Sequence, residues 1–344
     1  MSVEVRRARA RAQLLAEREP RPVVEVARTL LAVQAQDPRS LALALHARSA
    51  ATSPQPRAAA AADGPSPDSL SAALAERSVV MSWLVRGTLH LVAAEDWPWL
   101  LALTAPRQAA GSARRLGQLG VAPDEAERAV ALIARATADD GPLTRTELGE
   151  RLAAAGIRTE GQALPHLLGR AAWAGAIVVC GEHRYANARA WLGAPPAAVD
   201  RDTALAELAR RYLRAHAPAS DADLAAWSGL PLRDVRAGLH AAGLDPATAA
   251  PAPEAPLPPR LLPAFDPYLL GWKDRAFAVP PEHARRVHPG GGMLRATVID
   301  DGRAVATWSL RAGRVAVVPF DAETPLPDLA DEIAAVEAHA GARP

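Results

Sequence analysis

Two glutamines one residue apart, Gln34 and Gln36, are the side chains of this 344-residue chain whose type and spacing best fit chemistry. They lie in the run Leu30-Leu-Ala-Val-Gln34-Ala-Gln36-Asp37-Pro38-Arg39. An amide has no useful pKa, so neither is a general base in the usual sense. Its carbonyl can still accept a hydrogen bond from water and hold that water in line. The competing reading is that both amides satisfy loose backbone groups at a corner of the chain. Other catalytic sets are missing from the sequence. The nine histidines show no H-x-x-x-H or H-E-x-x-H spacing, so no catalytic metal is expected. No Gly-Lys-Ser/Thr run exists for a P-loop, and no cofactor is expected. Cys180 is the sole cysteine, which excludes an internal disulfide and a thiolate cluster. Lys273 is the sole lysine among 39 Lys and Arg, so Schiff-base chemistry would fall to it or to the N-terminal amine.

The elements around the pair set its geometry. A helix is expected from Pro22, running in apolar residues to Val33. Pro38 disfavours helix at Asp37, so that helix should end near 34–36. A new helix then starts with Asp37 as N-cap and Pro38 at its first position. The glutamines therefore lie at a helix–helix corner. If the corner is locally extended their side chains share a face; if it stays helical they point about 200° apart.

The rest of the chain shows an internal echo. A helix over 123–138, the capping box Thr144–Glu147, a short helix to Ala155-Gly156 and a helix over about 160–174 lead into a hairpin of Ile177–Cys180 and His183–Ala186. The same opening recurs at 203–216, Ser220–Asp223 and Pro231 to Ala242. Near the N-terminus, helices at 3–16, 22–33, 39–48 and 68–76 precede a hairpin over 79–92. Helix, helix, helix, hairpin is the winged-helix order. After 260, short β-type runs (295–299, 304–310, 314–320) with Asp301-Gly302 and Ala312-Gly313 between them indicate hairpins, and a last helix is expected over 326–340. The expected fold is thus mainly α with small β elements (α+β): tandem winged-helix units at 1–120, 121–195 and 199–250, then a C-terminal β-barrel-like domain at 258–344 with a terminal helix. Pro/Ala-rich stretches at 51–67, 194–198 and 245–260 read as linkers.

Composition narrows the class. The length suits two or three domains. No apolar stretch approaches about 18 residues, so no membrane span is expected, and no apolar signal core follows the N-terminus. A soluble, cytoplasmic protein is the expectation. Net charge is +1, but residues 321–344 carry six acids and one Arg, so the remaining body is basic. That permits phosphate-binding patches, and arginine suits them because its fork binds oxygens in pairs.

Three ordered blocks carry a resemblance. Val33-Gln34-Ala35-Gln36-Asp37-Pro38-Arg39 resembles the Gln–aliphatic–Gln corner of AlkZ-type alkylpurine DNA glycosylases, a winged-helix family that includes the YcaQ branch. Ser82-Trp83-Leu84-Val85-Arg86-Gly87-Thr88-Leu89-His90-Leu91-Val92 resembles the family's Trp-x-x-Arg-x-Thr-Leu-His strand. Leu261 to Arg275 resembles the entry to its β-barrel domain. Where the YcaQ branch replaces the second glutamine with Asp, Gln36 keeps the AlkZ form. The resemblance implies a monofunctional enzyme hydrolysing the N-glycosidic bond of alkylated purines, N7-alkylguanine above all, in double-stranded DNA, for repair or for self-resistance to a genotoxin. A base alkylated at N7 is already cationic and leaves without a protein acid. The sugar becomes oxocarbenium-like, and a placed water captures it. Orientation can contribute up to about 7–11 kcal/mol in favourable cases. Gln34 and Gln36 are then the catalytic, water-positioning residues. Asp37 either caps the helix or adds negative charge near the oxocarbenium ion.

Other residues follow from position. Arg39 can reach a phosphate beside the corner. Arg86 and His90, four apart on an expected strand, should share a face and line the cleft, with a packed histidine as the second reading of His90. Trp83 falls out of phase and reads as core. Asp266 and Arg275 are expected to pair at the domain junction. Arg285, Arg286 and His288 precede Pro289-Gly-Gly-Gly292, and a basic loop there could follow phosphates or probe a groove; a solvated hairpin approach is its alternative. Lys273 reads as a solvent-facing neighbour of Asp274. The protein should act as a monomer. The other function classes are a non-catalytic winged-helix transcriptional regulator, which needs a two-fold dimer and a spaced palindromic site, and a protein-interaction scaffold.

Overall fold

The computed structural model describes residues 2–49, 67–181, 183–193, 199–246, 255–321, 323 and 325–341. Of the expected linkers, all of 51–67 but its last residue, all of 194–198 and half of 245–260 lie outside these residues. No helix is long and apolar enough to cross a membrane among them.

The first sheet positions the glutamine corner. Its strands are β1 (Val33–Gln34), β2 (Val79–Trp83), β3 (Leu89–Ala93), β4 (Ile177–Cys180) and β5 (Arg184–Asn187), in the order β1-β3-β2-β4-β5, every pair antiparallel. Two hairpins far apart in sequence thus join edge to edge, with Met81 opposite Val179. Alternation sends successive side chains to opposite faces. Val80, Val92, Val178, Cys180 and Ala186 enter one core. Val33, Met81, Leu91, Ile177, Val179 and Tyr185 enter another. With both faces covered, the strands read as near-continuous apolar runs such as Ile-Val-Val-Cys.

Helices flank the sheet. Val23–Leu30 buries Val23, Val26, Ala27 and Leu30, the i, i+3, i+4, i+7 stripe of an amphipathic helix. It stops earlier than Pro38 alone implies. Leu31 adopts φ 67°, and the chain then runs extended so that Val33 and Gln34 pair with Leu91 and His90. The pairing holds Leu31 in a region costly for a side chain with a Cβ. Pro38–His46 begins on the Asp37 cap, whose carboxylate accepts from Ser40 N at 2.8 Å. Pro123–Asp139, Arg145–Ala154 and Ala163–Trp173 precede β4 and β5 in the expected order, and Thr144 and Glu147 exchange their capping bonds at 3.2 and 2.7 Å. Arg201–His216, Asp221–Ser228 and Leu232–Ala242 repeat the helical part. Leu232–Ala242 lies so close to Arg201–His216 that a Cβ on Gly238 would stand 2.5 Å from the Leu205 carbonyl oxygen.

The second sheet contains β6 (Arg260–Leu262), β7 (Thr297–Asp300), β8 (Arg303–Arg311) and β9 (Arg314–Pro319), antiparallel in chain order. It is open, with β6 and β9 as its edges, so the closure expected of a barrel-like domain is not formed. Helix Ala330–Gly341 packs on it through Val336, and Leu43, from the helix that follows the corner, completes the same core.

Buried polar contacts tie these parts together. Arg48, two residues past the helix Pro38–His46, forks onto Asp266 at 2.8 and 2.7 Å, with both side chains fully buried. Asp266 also caps the short helix Pro267–Leu270 through Tyr268 N at 2.8 Å. The expected partner, Arg275, donates instead to the Leu269 carbonyl at 2.6 Å. Asp266 is thus a junction residue as expected, but its partner is Arg48, because the buried end of the helix after the corner reaches it. Arg211 joins Asp96 (3.1 and 2.8 Å) and the Arg28 carbonyl (2.7 Å). Three histidines are buried as neutral rings. His216 stacks on Tyr212 at 4.3 Å and His46 on His339 at 4.6 Å, while His90 lies in β3. Burial pushes each of the three down to about 3.

Two outcomes follow. Arg48→Met leaves Asp266 as an uncompensated buried charge and should cost about 3–5 kcal/mol in urea unfolding; adding Asp266→Asn should recover much of that loss, and equal stability of the single and double variants would contradict the assignment. The histidines bind protons in the unfolded chain below about pH 6.5 but in the folded chain only near pH 3. Their contribution is therefore full above about pH 6.5 and is lost as pH falls towards 3, by up to about 1.4 kcal/mol per histidine per pH unit. Urea midpoints should hold between pH 8 and 7 and drop from pH 6 to 5.

Candidate active site

At the corner the chain is extended, so the glutamines share a face. Gln34 Nε2 donates to Gln36 Oε1 at 2.9 Å. Gln34 is half-buried and Gln36 exposed, while Ala35 between them is buried on the opposite side. The paired amides leave the Gln34 carbonyl and the Gln36 amino group to meet a water or substrate. The corner is held at both ends. On one side Ala35 N donates to the Leu89 carbonyl at 2.8 Å, continuing the β1–β3 ladder. On the other side Asp37 accepts from both Ser40 N and Ser40 Oγ (2.6 Å), which makes it a cap.

His90 lies directly opposite Gln34 on β3, and Ser82 directly opposite His90 on β2. The three form one polar row across the face that otherwise carries Val80, Val92 and Val178. His90 is 3% exposed, and its Nδ1 sits 2.8 Å from the Thr88 carbonyl. A ring nitrogen facing a carbonyl must donate, so the neutral ring keeps Nε2 as an acceptor. Burial, then the charge of Arg86, hold it unprotonated. Ser82 Oγ is buried without a partner. Ser82 is not among the residues expected at the site, although the period-2 pattern of β2 against β3 carries it.

Several other expected residues are placed differently. Arg86 does not share a strand face with His90. It occupies the tight turn Val85–Gly87 between β2 and β3 at φ 53°, and its guanidinium donates to the Trp227 carbonyl. Gly229 packs against it, with room for a Cβ only 3.4 Å from its side chain. The backbone of helix Asp221–Ser228 thus supplies the partner that a phosphate was expected to be. Trp83 is half-buried, stacked on Tyr185 at 6.2 Å, on the core side as expected. Arg39 is exposed and lines a cavity of about 450 Å³ with Ala35, Leu41, Leu74, Met81 and Leu310. Ala35 faces this cavity and the glutamines do not, so it lies behind the corner.

The basic hairpin approaches from the C-terminal part. Arg285 and Arg286 are exposed on the turn of helix Ala284–Val287, and Arg286 donates to the Pro319 carbonyl at 3.1 Å. Gly290, Gly291 and Gly292 all have positive φ, the conformation that makes three glycines necessary in succession. Met293 is 46% exposed at its end. His288 is half-buried, with Nδ1 3.3 Å from the Met293 carbonyl. Burial, then Arg275, lower its pKa; Arg275 in turn lowers that of Arg86, after burial. Arg275 thus acts electrostatically on both Arg86 and His288. Among the described residues no three His, Cys, Asp or Glu gather as a metal-ligand set. Lys273 is exposed.

The arrangement can orient a water at a rigid, uncharged, exposed corner flanked by arginine. The chain is similar to an interstrand DNA cross-link repair glycosylase of Streptomyces sahachiroi, 28% identical over 300 residues, spanning 76% of this chain and 79% of that protein. Its structure is similar to that of the Streptomyces sahachiroi DNA glycosylase AlkZ, with TM-score 0.77 and 25% identity, covering 98% of this chain and 96% of the other. The sequence profile described as DNA glycosylase AlkZ-like matches residues 26–343, and the chain belongs to that family of DNA repair glycosylases.

Proposed function

We propose that this DNA glycosylase releases alkylated purines, N7-alkylguanine foremost, from double-stranded DNA, with Gln34 and Gln36 holding the water that captures the sugar. The observation that carries this reading is the 2.9 Å contact between the two amides on an extended, accessible corner. A neutral pair suits a leaving group that is already cationic, and it would be a poor pair for an undamaged base. Arg39, Arg285 and Arg286 are the proposed phosphate contacts, with His288 and the glycine turn entering a groove. Arg86 serves as a positioning residue, since its guanidinium is taken by the Trp227 carbonyl. Three winged-helix units, two of them contributing the joined hairpins of the first sheet, would cradle the duplex. The relative is named for interstrand cross-link repair, and the proposal includes bulky or cross-linked adducts, in repair or self-resistance. Hydrolysis without strand cleavage fits the exposure of Lys273, far in sequence from the corner. A single chain acting as a monomer is sufficient for all of these roles.

The test is single-turnover release of N7-methylguanine from a duplex. Wild type should free the base and leave the strand uncut until alkali is added. Gln34→Ala and Gln36→Ala should each slow release by about 10²-fold or more, comparable to losing one preorganised hydrogen-bonding group, while duplex affinity and its salt dependence stay near wild type. Wild-type rates in both variants would defeat the reading.

A further inference from the structure

Departure of a cationic purine leaves positive charge at C1′, and the water that bonds there must shed a proton. Neither amide can take it. Among the described residues beside the corner, Arg39 and Arg86 are already protonated, which leaves Asp37 and His90 as the side chains able to take a proton. In an extended chain Gln34 and Gln36 point one way and Ala35 and Asp37 the other. Asp37 is also engaged with Ser40 at 2.8 and 2.6 Å. His90 is on the glutamine side. The bond from Ala35 N to the Leu89 carbonyl makes Gln34 and His90 a non-hydrogen-bonded pair, whose Cα atoms approach to about 4.5 Å with the side chains in contact range. Thr88 holds Nδ1 at 2.8 Å, so Nε2 carries the lone pair.

We propose that His90 accepts at Nε2 the proton released when the water held by Gln34 and Gln36 bonds to C1′ of the deoxyribose. This assignment rests on the water-holding reading of the pair. The C1′–N9 bond breaks and its electrons stay with N9, so the alkylated base leaves neutral. The water oxygen donates a lone pair to C1′, its O–H bond breaks, and the proton passes to Nε2. The product is an abasic hemiacetal and an imidazolium, which returns its proton to solvent. The positive charge of the substrate thus ends on the ring. The Thr88 carbonyl, already bonded to Nδ1–H, steadies the transient cation.

The low basicity of a buried ring does not oppose this role. A water already bonded to an oxocarbenium carbon is a far stronger acid than any imidazolium, so the transfer runs downhill. Burial and Arg86 keep the ring unprotonated beforehand, so no cation faces the cationic sugar and none of the enzyme is lost to protonation at neutral pH. A more basic histidine would forfeit both advantages.

The test compares wild type, His90→Gln and His90→Asn in single-turnover release of N7-methylguanine, with and without azide. Azide brings an electron pair and no proton, so capture by azide bypasses His90. Expected is a loss of about 10²-fold in water, restored by azide with formation of the 1-azido sugar, at unchanged duplex affinity. Wild type should not respond. Rates within threefold of wild type, or a loss that azide does not restore, would overturn the assignment. So would loss of duplex binding in both variants, which marks a purely structural residue. Gln36→Ala measured alongside separates the two ideas. If it keeps the wild-type rate, the water-holding reading fails; if it is slow and His90→Gln is not, only the proton assignment fails.

Discussion

The buried fork between Arg48 and Asp266 is the contact on which the geometry of the corner depends. The helix that leaves the corner at Pro38 ends at His46, and Arg48 follows at once. Two fully buried charges cannot separate or slide without exposing one of them to a low-dielectric interior. Their bidentate geometry fixes direction as well as distance. The far end of a nine-residue rod is thereby pinned to the entry of the second sheet. Leu43 seats the same rod in the C-terminal core. The near end is pinned by the Asp37 cap, and the segment before it by pairing with β3. Four anchors between Val33 and Arg48 leave the glutamines little freedom to move.

Rigidity matters because the pair has no charge to use. A carboxylate acts over distance; a neutral amide acts only through the direction of one hydrogen bond. Such a site depends on position alone, and the cost of position is met elsewhere in the fold. Leu31 and Arg86 adopt left-handed backbone to bring the extended corner against β3 and to send the β2–β3 turn into the Trp227 carbonyl. Strain at two residues is held by two cores, one on each face of the sheet.

Charge is arranged around the corner and not in it. Arg86 supplies positive charge beside a face whose own polar groups, Gln34, His90 and Ser82, are neutral. On the proposed mechanism, a cation at the sugar would meet no repulsion from these neutral groups. Arginine's near-monopoly of the basic residues suits this division, since a guanidinium keeps its charge on burial more readily than an ammonium.

The local features were legible because they rest on neighbours in sequence. The Asp37-Pro38 start, the Thr144–Glu147 box and the hairpins of the second sheet all follow from capping, turn chemistry and periodicity within a few residues. The Gln-Ala-Gln spacing was legible too, but only as a choice between one shared face and two. The pairing of Val33-Gln34 with Leu91-His90 made that choice, and it joins positions more than fifty residues apart. The Arg48–Asp266 pair was hidden for the same reason: 218 residues separate its partners, and the adjacent Arg275 was the nearer guess. Arg86 misled because Trp-x-x-Arg-x-Thr-Leu-His alternates like one strand, while the backbone turns at Arg86 itself to reach a third segment. The amino-acid sequence by itself thus determined which residues could do chemistry and which local elements carry them. Only tertiary structure decided which side chains share a face, because that depends on contacts whose entropy of closure no local pattern records.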